Sequence, residues 1–141
     1  MFDYWFKILP PILEGFNISI LVYLLTMIFA LPIGLLIGLL SDLYKPSHKI
    51  SRIFTWIVRG TPLLLQLYVT MYALPLILPF RMNRLFAGTL TFVINYAAYF
   101  TEIFRSGLAI IPVGQWQAGE VLGLKRIETI WYIILPQMFR N

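Results

Sequence analysis

Phe16-Asn-Ile-Ser-Ile-Leu-Val-Tyr-Leu-Leu-Thr-Met-Ile-Phe-Ala-Leu-Pro-Ile-Gly-Leu-Leu-Ile-Gly-Leu-Leu40 decides what kind of protein this is. These 25 residues carry no charge and lie between Glu14 and Asp42. As a helix they would rise about 37 Å, enough to cross a hydrocarbon core about 30 Å thick with some tilt. Pro32 falls inside the run, which lipid-embedded helices tolerate when neighbouring groups satisfy the freed carbonyl. Thr26, Ala30, Gly34 and Gly38 recur every four residues, the last two as a GxxxG. Small residues at that interval let a second helix approach closely. The whole stretch 15–41 therefore reads as a first membrane span packed through one small-residue stripe.

The rest of the chain agrees with a lipid solvent. Hydrophobic residues make up 60% of the 141 positions and charged residues 12%, with mean hydropathy +0.81. A water-soluble domain of this length could not bury so much apolar surface. The absence of cysteine removes disulfides, zinc–cysteine sites and cysteine nucleophiles, and the one histidine, His48, has no second histidine to share a metal. The excess of five positive charges contains no run of five or six basic residues, so nucleic acid is not implied. The N-terminal stretch has one cation, Lys7, against Asp3 and Glu14, and a long apolar run follows; it reads as a retained span rather than a cleavable signal.

A second apolar run, 60–80, opens on Pro62 in a first helical turn, and Pro75 and Pro79 imply a kinked exit. A third, 85–111, ends at Pro112 and Gly114. The last run, Thr129 to Phe139, has 11 residues and is too short to cross. Segment 129–141 is expected to be the start of a fourth span in a chain incomplete at its C-terminus. Lysine and arginine set the orientation. Lys45, Lys49, Arg52, Arg59, Arg105, Lys125 and Arg126 fall on one side, against Lys7, Arg81 and Arg84 on the other. The expected N-terminus is outside, with 45–59 and 112–128 in the cytoplasm.

The third span carries the chemistry. Gly88, Thr91, Asn95, Tyr99, Glu102 and Ser106 fall within an arc of roughly 80° on a helix. With Gln66 of the second span, Thr91, Asn95 and Tyr99 are candidates to line the path of a polar substrate; packing against other helices is the alternative. Glu102 is the only acid within a span, and Arg105 lies one turn away. The pair reads as a structural charge clamp at the cytoplasmic end. Beyond Gly114, residues 115–122 fit a short helix stopped by Gly123. Its Trp116, Val121, Leu122 and Leu124 could dock in a partner's groove or lie on lipid.

Gln117-Ala118-Gly119, then Gly123, then Ile133, Leu135 and Pro136 resembles the EAA motif of ABC importer permeases: Glu-Ala-Ala, three residues, Gly, nine residues, Ile-x-Leu-Pro. Gln117 and Gly119 stand where that motif has Glu and Ala. Val58-Arg59-Gly60-Thr61-Pro62-Leu63-Leu64-Leu65-Gln66-Leu67, Ala97-Ala98-Tyr99-Phe100-Thr101-Glu102-Ile103-Phe104-Arg105 and Ile111-Pro112-Val113-Gly114-Gln115 resemble blocks of polar amino acid permeases of the histidine/glutamine type.

The chain is expected to be an all-α integral membrane fold with three full spans, a cytoplasmic coupling helix and the start of a fourth span, and the resemblance implies a family core of about five spans. It implies a multi-pass subunit of the prokaryotic inner membrane. Gly114, Gln115, Gln117, Ala118, Gly119, Gly123 and Leu124 would couple it to an ABC ATPase. A second permease would complete the pore, and an extracellular solute-binding protein would deliver an amino acid for alternating access. A non-transporting assembly subunit of the same complex is the alternative. With no GxxxxGK[ST] sequence the chain has no phosphate loop of its own. It is expected to be no enzyme and to need no cofactor or metal.

Overall fold

The structure, a computed structural model, describes residues 2–77 and 82–138, with side chains described from Phe6 onward. The described residues form helices and short connections, without strands. Helix α1 (Phe2–Leu43) is followed by α2 (Lys45–Gly60), α3 (Leu63–Ile77), α4 (Arg84–Ile110), the short α5 (Val113–Val121) and α6 (residues 126–138). Pro79, Phe80 and Arg81, and with them the end of the second run and one cation used for orientation, lie outside the described residues, as do Phe139 to Asn141.

Helix α1 starts well before Gly15 and carries Pro10, Pro11 and Pro32 without interruption. Within it, Phe6–Leu43 is the one described helix long and apolar enough by itself to cross a membrane. Its small-residue stripe is the seam with α4. Thr26, Ala30, Gly34 and Gly38 are all buried, while the leucines and isoleucines around them are largely exposed. Ala30 packs with Val93 and Ala97. Thr101, fully buried, donates its hydroxyl to the Gly34 carbonyl at 3.1 Å and to its own helix at Ala97 O at 2.8 Å. The close backbone approach that glycine permits thus brings a carbonyl within reach of a threonine on the facing helix.

Residues 45–59 were expected as a connecting loop, and they form helix α2. Tyr44 precedes it in extended conformation and a proline sits in its first turn, where the missing N–H costs no hydrogen bond. At Thr61–Pro62 the chain turns by 98° into α3. Pro62, expected inside the first turn, is instead the extended residue before it. Helices α2 and α3 together pass the length and hydropathy test for a span, but only as a bent pair.

Two prolines inside helices have the same local solution. Val69–Ala73 and Ile130–Ile134 are π turns, with Leu74 N–H bonded to Val69 O and Leu135 N–H to Ile130 O. Each precedes a proline, Pro75 or Pro136. A proline ring clashes with the carbonyl four residues back and donates nothing to it; one wider turn just before the ring relieves that conflict.

Helix α4 begins at Asn83, whose side chain accepts the Phe86 N–H at 2.6 Å, a standard N-cap. It buries Ala87, Thr91, Val93, Asn95, Ala97, Ala98, Thr101, Phe104 and Leu108. At its far end Phe104, Leu108, Ile111 and Ile134 form the main apolar cluster, with Leu35, Leu39, Trp116 and Met138 packed around it. Four helices, α1, α4, α5 and α6, meet there.

Candidate functional site

Helix α5 is held from both ends. Its C-terminus closes as a Schellman motif: Leu124 N–H bonds to Gly119 O at 3.0 Å and Gly123 N–H to Glu120 O at 3.0 Å. Gly123 has φ of +73°, the one described residue in the left-handed region. The stop expected from sequence is present, and for the physical reason expected. Beyond it, Glu128 accepts the Lys125 N–H at 2.7 Å and starts α6.

Two contacts tie this turn to the rest of the molecule. Arg126 grips Asp42 at the end of α1 with two parallel hydrogen bonds, 2.8 Å and 2.9 Å. Its guanidinium also lies over the Trp116 ring, 4.6 Å from the centroid. The hydrogen bond to Asp42 raises the pKa of Arg126 above its ordinary value, partly opposed by burial, so the guanidinium stays charged at any physiological pH. Gln115, expected to take part in coupling to a partner, is half-buried and accepts from Gln137 of α6 at 3.0 Å.

Gly119 is also turned inward. It is buried, and a Cβ there would stand 2.5 Å from both Cγ2 and Oγ1 of Thr129. Glycine at this position lets α5 seat on α6 within one subunit. The open surface of the segment comprises Gly114, Gln117, Ala118, Glu120 and, above all, Val121 and Leu122, which are 88% and 71% exposed. Leu124 is half-buried.

The elbow between α2 and α3 is pinned by Gln66. Its amide nitrogen donates to Val58 O at 2.7 Å, Thr61 Oγ1 at 2.7 Å and Thr61 O at 3.1 Å. Its oxygen accepts from Asn95 of α4 at 3.0 Å. Two of the four candidate path residues are thereby brought together. Thr91 is buried and bonds to Ala87 O of its own helix at 2.8 Å. Tyr99 is exposed, with the Arg59 guanidinium 5.1 Å from its ring centroid.

The expected Glu102–Arg105 pair is present at 3.1 Å. Sequence reasoning missed its third member: Arg59 of the elbow approaches the same carboxylate oxygen at 3.9 Å. Arg59 and Glu102 stand 43 residues apart in the chain, so no helical spacing could have paired them. A cleft of about 480 Å³ beside this triad is bounded by Ser41, Asp42, His48, Glu102, Arg105, Trp116 and Arg126. No group of three or more carboxylate or imidazole side chains able to hold a metal occurs among the described residues.

Gln66→Leu should cost about 2 kcal/mol of stability. It leaves the buried Asn95 amide without its partner and takes from the Val58 carbonyl the shorter of its two side-chain hydrogen bonds, the other coming from Thr61 Oγ1 at 3.3 Å, and interhelical bonds in lipid rarely contribute more. Unfolding in a denaturing-detergent titration checks this, and Asn95→Leu in the Gln66→Leu background should cost less than Asn95→Leu alone.

Residues 30–141 match the family described as binding-protein-dependent transport system inner membrane component. The chain is 34% identical over 134 residues to the arginine transport system permease protein ArtQ of Bacillus subtilis (strain 168), covering 94% of this chain and 61% of that one. It is 34% identical over 145 residues to a putative glutamine transport system permease protein GlnP of Rickettsia bellii (strain RML369-C), covering all of this chain and 66% of that one. A crystal structure described as an amino acid ABC transporter with histidines superposes with a TM-score of 0.86 at 28% identity, over all of this chain and 66% of its counterpart. The chain thus spans about two thirds or slightly less of the proteins it matches. An all-helical fold shared with a solved ABC transporter chain, and a family match over most of the sequence, make this chain a member of the binding-protein-dependent transport system inner membrane component family.

Proposed function

We propose that the chain is a permease subunit of an ATP-driven amino acid importer, with α5 as the helix through which a separate ABC ATPase drives it. The observation that carries the reading is the construction of α5. It is a short helix with a glycine stop, seated on α6 through Gly119 and tethered to α1 through Arg126, and it presents Val121 and Leu122 to solvent. A helix so placed can receive a push and pass it to the cluster where α1, α4 and α6 meet.

In this reading α1, the run 60–80 of which α3 is the described part, and α4 are the three spans, and α6 begins a fourth. Helix α4 is less apolar than α1 because one face carries Asn95, Tyr99, Glu102 and Ser106. That face lines the substrate path together with Gln66, whose bond to Asn95 a passing amino acid could exchange. The Arg59–Glu102–Arg105 triad is the clamp at the cytoplasmic end of the path. A second permease supplies the other wall, and an extracellular binding protein delivers the cargo. Relatives named for arginine and glutamine support amino acids as the substrate class. Alternating access then follows from ATPase closure moving α5 and rocking the helices around the path.

Reconstitution tests this. Proteoliposomes holding the chain with a sister permease, the ATPase and the binding protein should take up a labelled polar amino acid only with ATP inside and binding protein outside. Single cysteines replacing His48 and Met82 should react with impermeant reagents from opposite faces, His48 from the cytoplasm. Uptake independent of ATP would indicate a passive pore, and labelling of both sites from outside would remove the orientation.

A further inference from the structure

We propose that α2 lies in the plane of the membrane surface and holds the phosphate of an anionic phospholipid against its cationic flank. The helix divides into three sectors. Ser51 and Thr55 are buried against the protein. Ile50, Ile53 and Ile57 are 69%, 50% and 49% exposed and fall within about 60° of one another. Lys45, Lys49, Arg52 and Arg59 occupy a separate arc of about 80°, and no acid lies between residues 45 and 60.

Three isoleucines facing outward beside four cations, of which only Arg59 has an acid partner among the described residues, suit neither water nor the hydrocarbon interior. They suit the boundary between the two, where an amphipathic helix buries its apolar face among acyl chains and its cations meet anionic headgroups. The geometry agrees. Helix α2 meets α3 at 98°, so with α3 directed into the bilayer α2 runs along its surface. A cleft of about 400 Å³ opens between α2 and α4, lined by three arginines, Arg52, Arg59 and Arg105, and by one carboxylate, Glu102. Arg59 is only loosely paired, at 3.9 Å and 41% exposed, which leaves guanidinium donors for a phosphate. Trp56, 77% exposed, stands at the same cleft, as an amphipathic ring does at headgroup depth.

The chain has no cysteine, so single-site labelling is direct and needs no transport assay. In nanodiscs of the full chain, nitroxides placed one at a time at Ile50, Ile53 and Ile57 should report one common depth. A transverse helix would spread the outer two by about 10 Å. A bimane at Ile53 should be quenched about five-fold more effectively by brominated phosphatidylglycerol than by brominated phosphatidylcholine at equal mole fraction, and Lys49→Gln or Arg52→Gln should each remove most of that preference. Soluble glycerol phosphate should not displace it. Graded depths, equal quenching by the two lipids, or a preference unchanged in both variants would overturn the proposal. So would no lipid access at any of the three isoleucines, meaning that another protein surface covers them, or displacement by glycerol phosphate, meaning that the ligand is a soluble phosphate.

Discussion

Gly34→Leu should prevent the chain from accumulating folded in the membrane. A Cβ at residue 34 would stand 2.5 Å from Phe100 Cβ, 2.7 Å from Ala97 O and 3.1 Å from Thr101 N. Two of those three atoms are backbone of α4, which cannot swing aside as a side chain can. Accommodating leucine means parting α1 from α4, which also breaks the Thr101–Gly34 hydrogen bond. Overpacking alone costs about 1–3 kcal/mol where side chains can adjust, and a backbone obstacle puts this case at or beyond the upper end. Gly38→Leu should be milder, because its nearest obstacle is the Phe104 ring at 2.7 Å, a side chain rather than backbone. Gly15→Leu meets nothing within 4 Å and should be silent. Yield of detergent-extracted monodisperse protein for the three variants checks the order; normal yield of Gly34→Leu would show that the α1–α4 seam is not formed this way.

Gly119→Trp is the second large effect, and its cause lies inside the subunit. The Cβ itself would overlap Thr129, which is buried and β-branched and so has few alternative rotamers. The indole would lift α5 off α6, and with it the turn held by Gly123 and Arg126. Trypsin should then cut at Lys125 or Arg126 about ten-fold faster than in the unaltered chain, since cleavage needs an opened backbone. Gly119→Ala should show a smaller increase, and Thr129→Ala in the same chain should largely reverse it. An unchanged cleavage rate in Gly119→Trp would contradict the seating of α5 on α6.

Some of this was readable along the chain and some was not, for definite reasons. The α1 stripe was legible because small residues at intervals of four are a local pattern on one helix. Gly123 was legible because a helix stop is local too. Helix α2 is hard to see in the sequence although Ile50, Ile53 and Ile57 have helical spacing, because its four cations fit a positively charged cytoplasmic loop equally well. The Gln66–Asn95 bond, the third member of the Glu102 triad and the Asp42–Arg126 tether join residues 29, 43 and 84 apart, and no periodicity connects such positions. Gly119 illustrates an ambiguity that sequence cannot resolve: a residue without bulk fits equally well against a partner and against its own neighbour.

That ambiguity moves the decisive test to the residues α5 leaves in the open. Val121 and Leu122 are among the most exposed apolar side chains described, so Val121→Glu with Leu122→Glu should leave detergent unfolding and membrane insertion unchanged. If α5 is the coupling helix, two carboxylates in the centre of an apolar contact would each be desolvated without a partner, a loss large enough to abolish a transient interface. The measurement is co-purification of the ABC ATPase with the tagged permease complex. The account predicts at least a ten-fold loss of bound ATPase in the double variant with insertion intact, and full retention of the ATPase would contradict it.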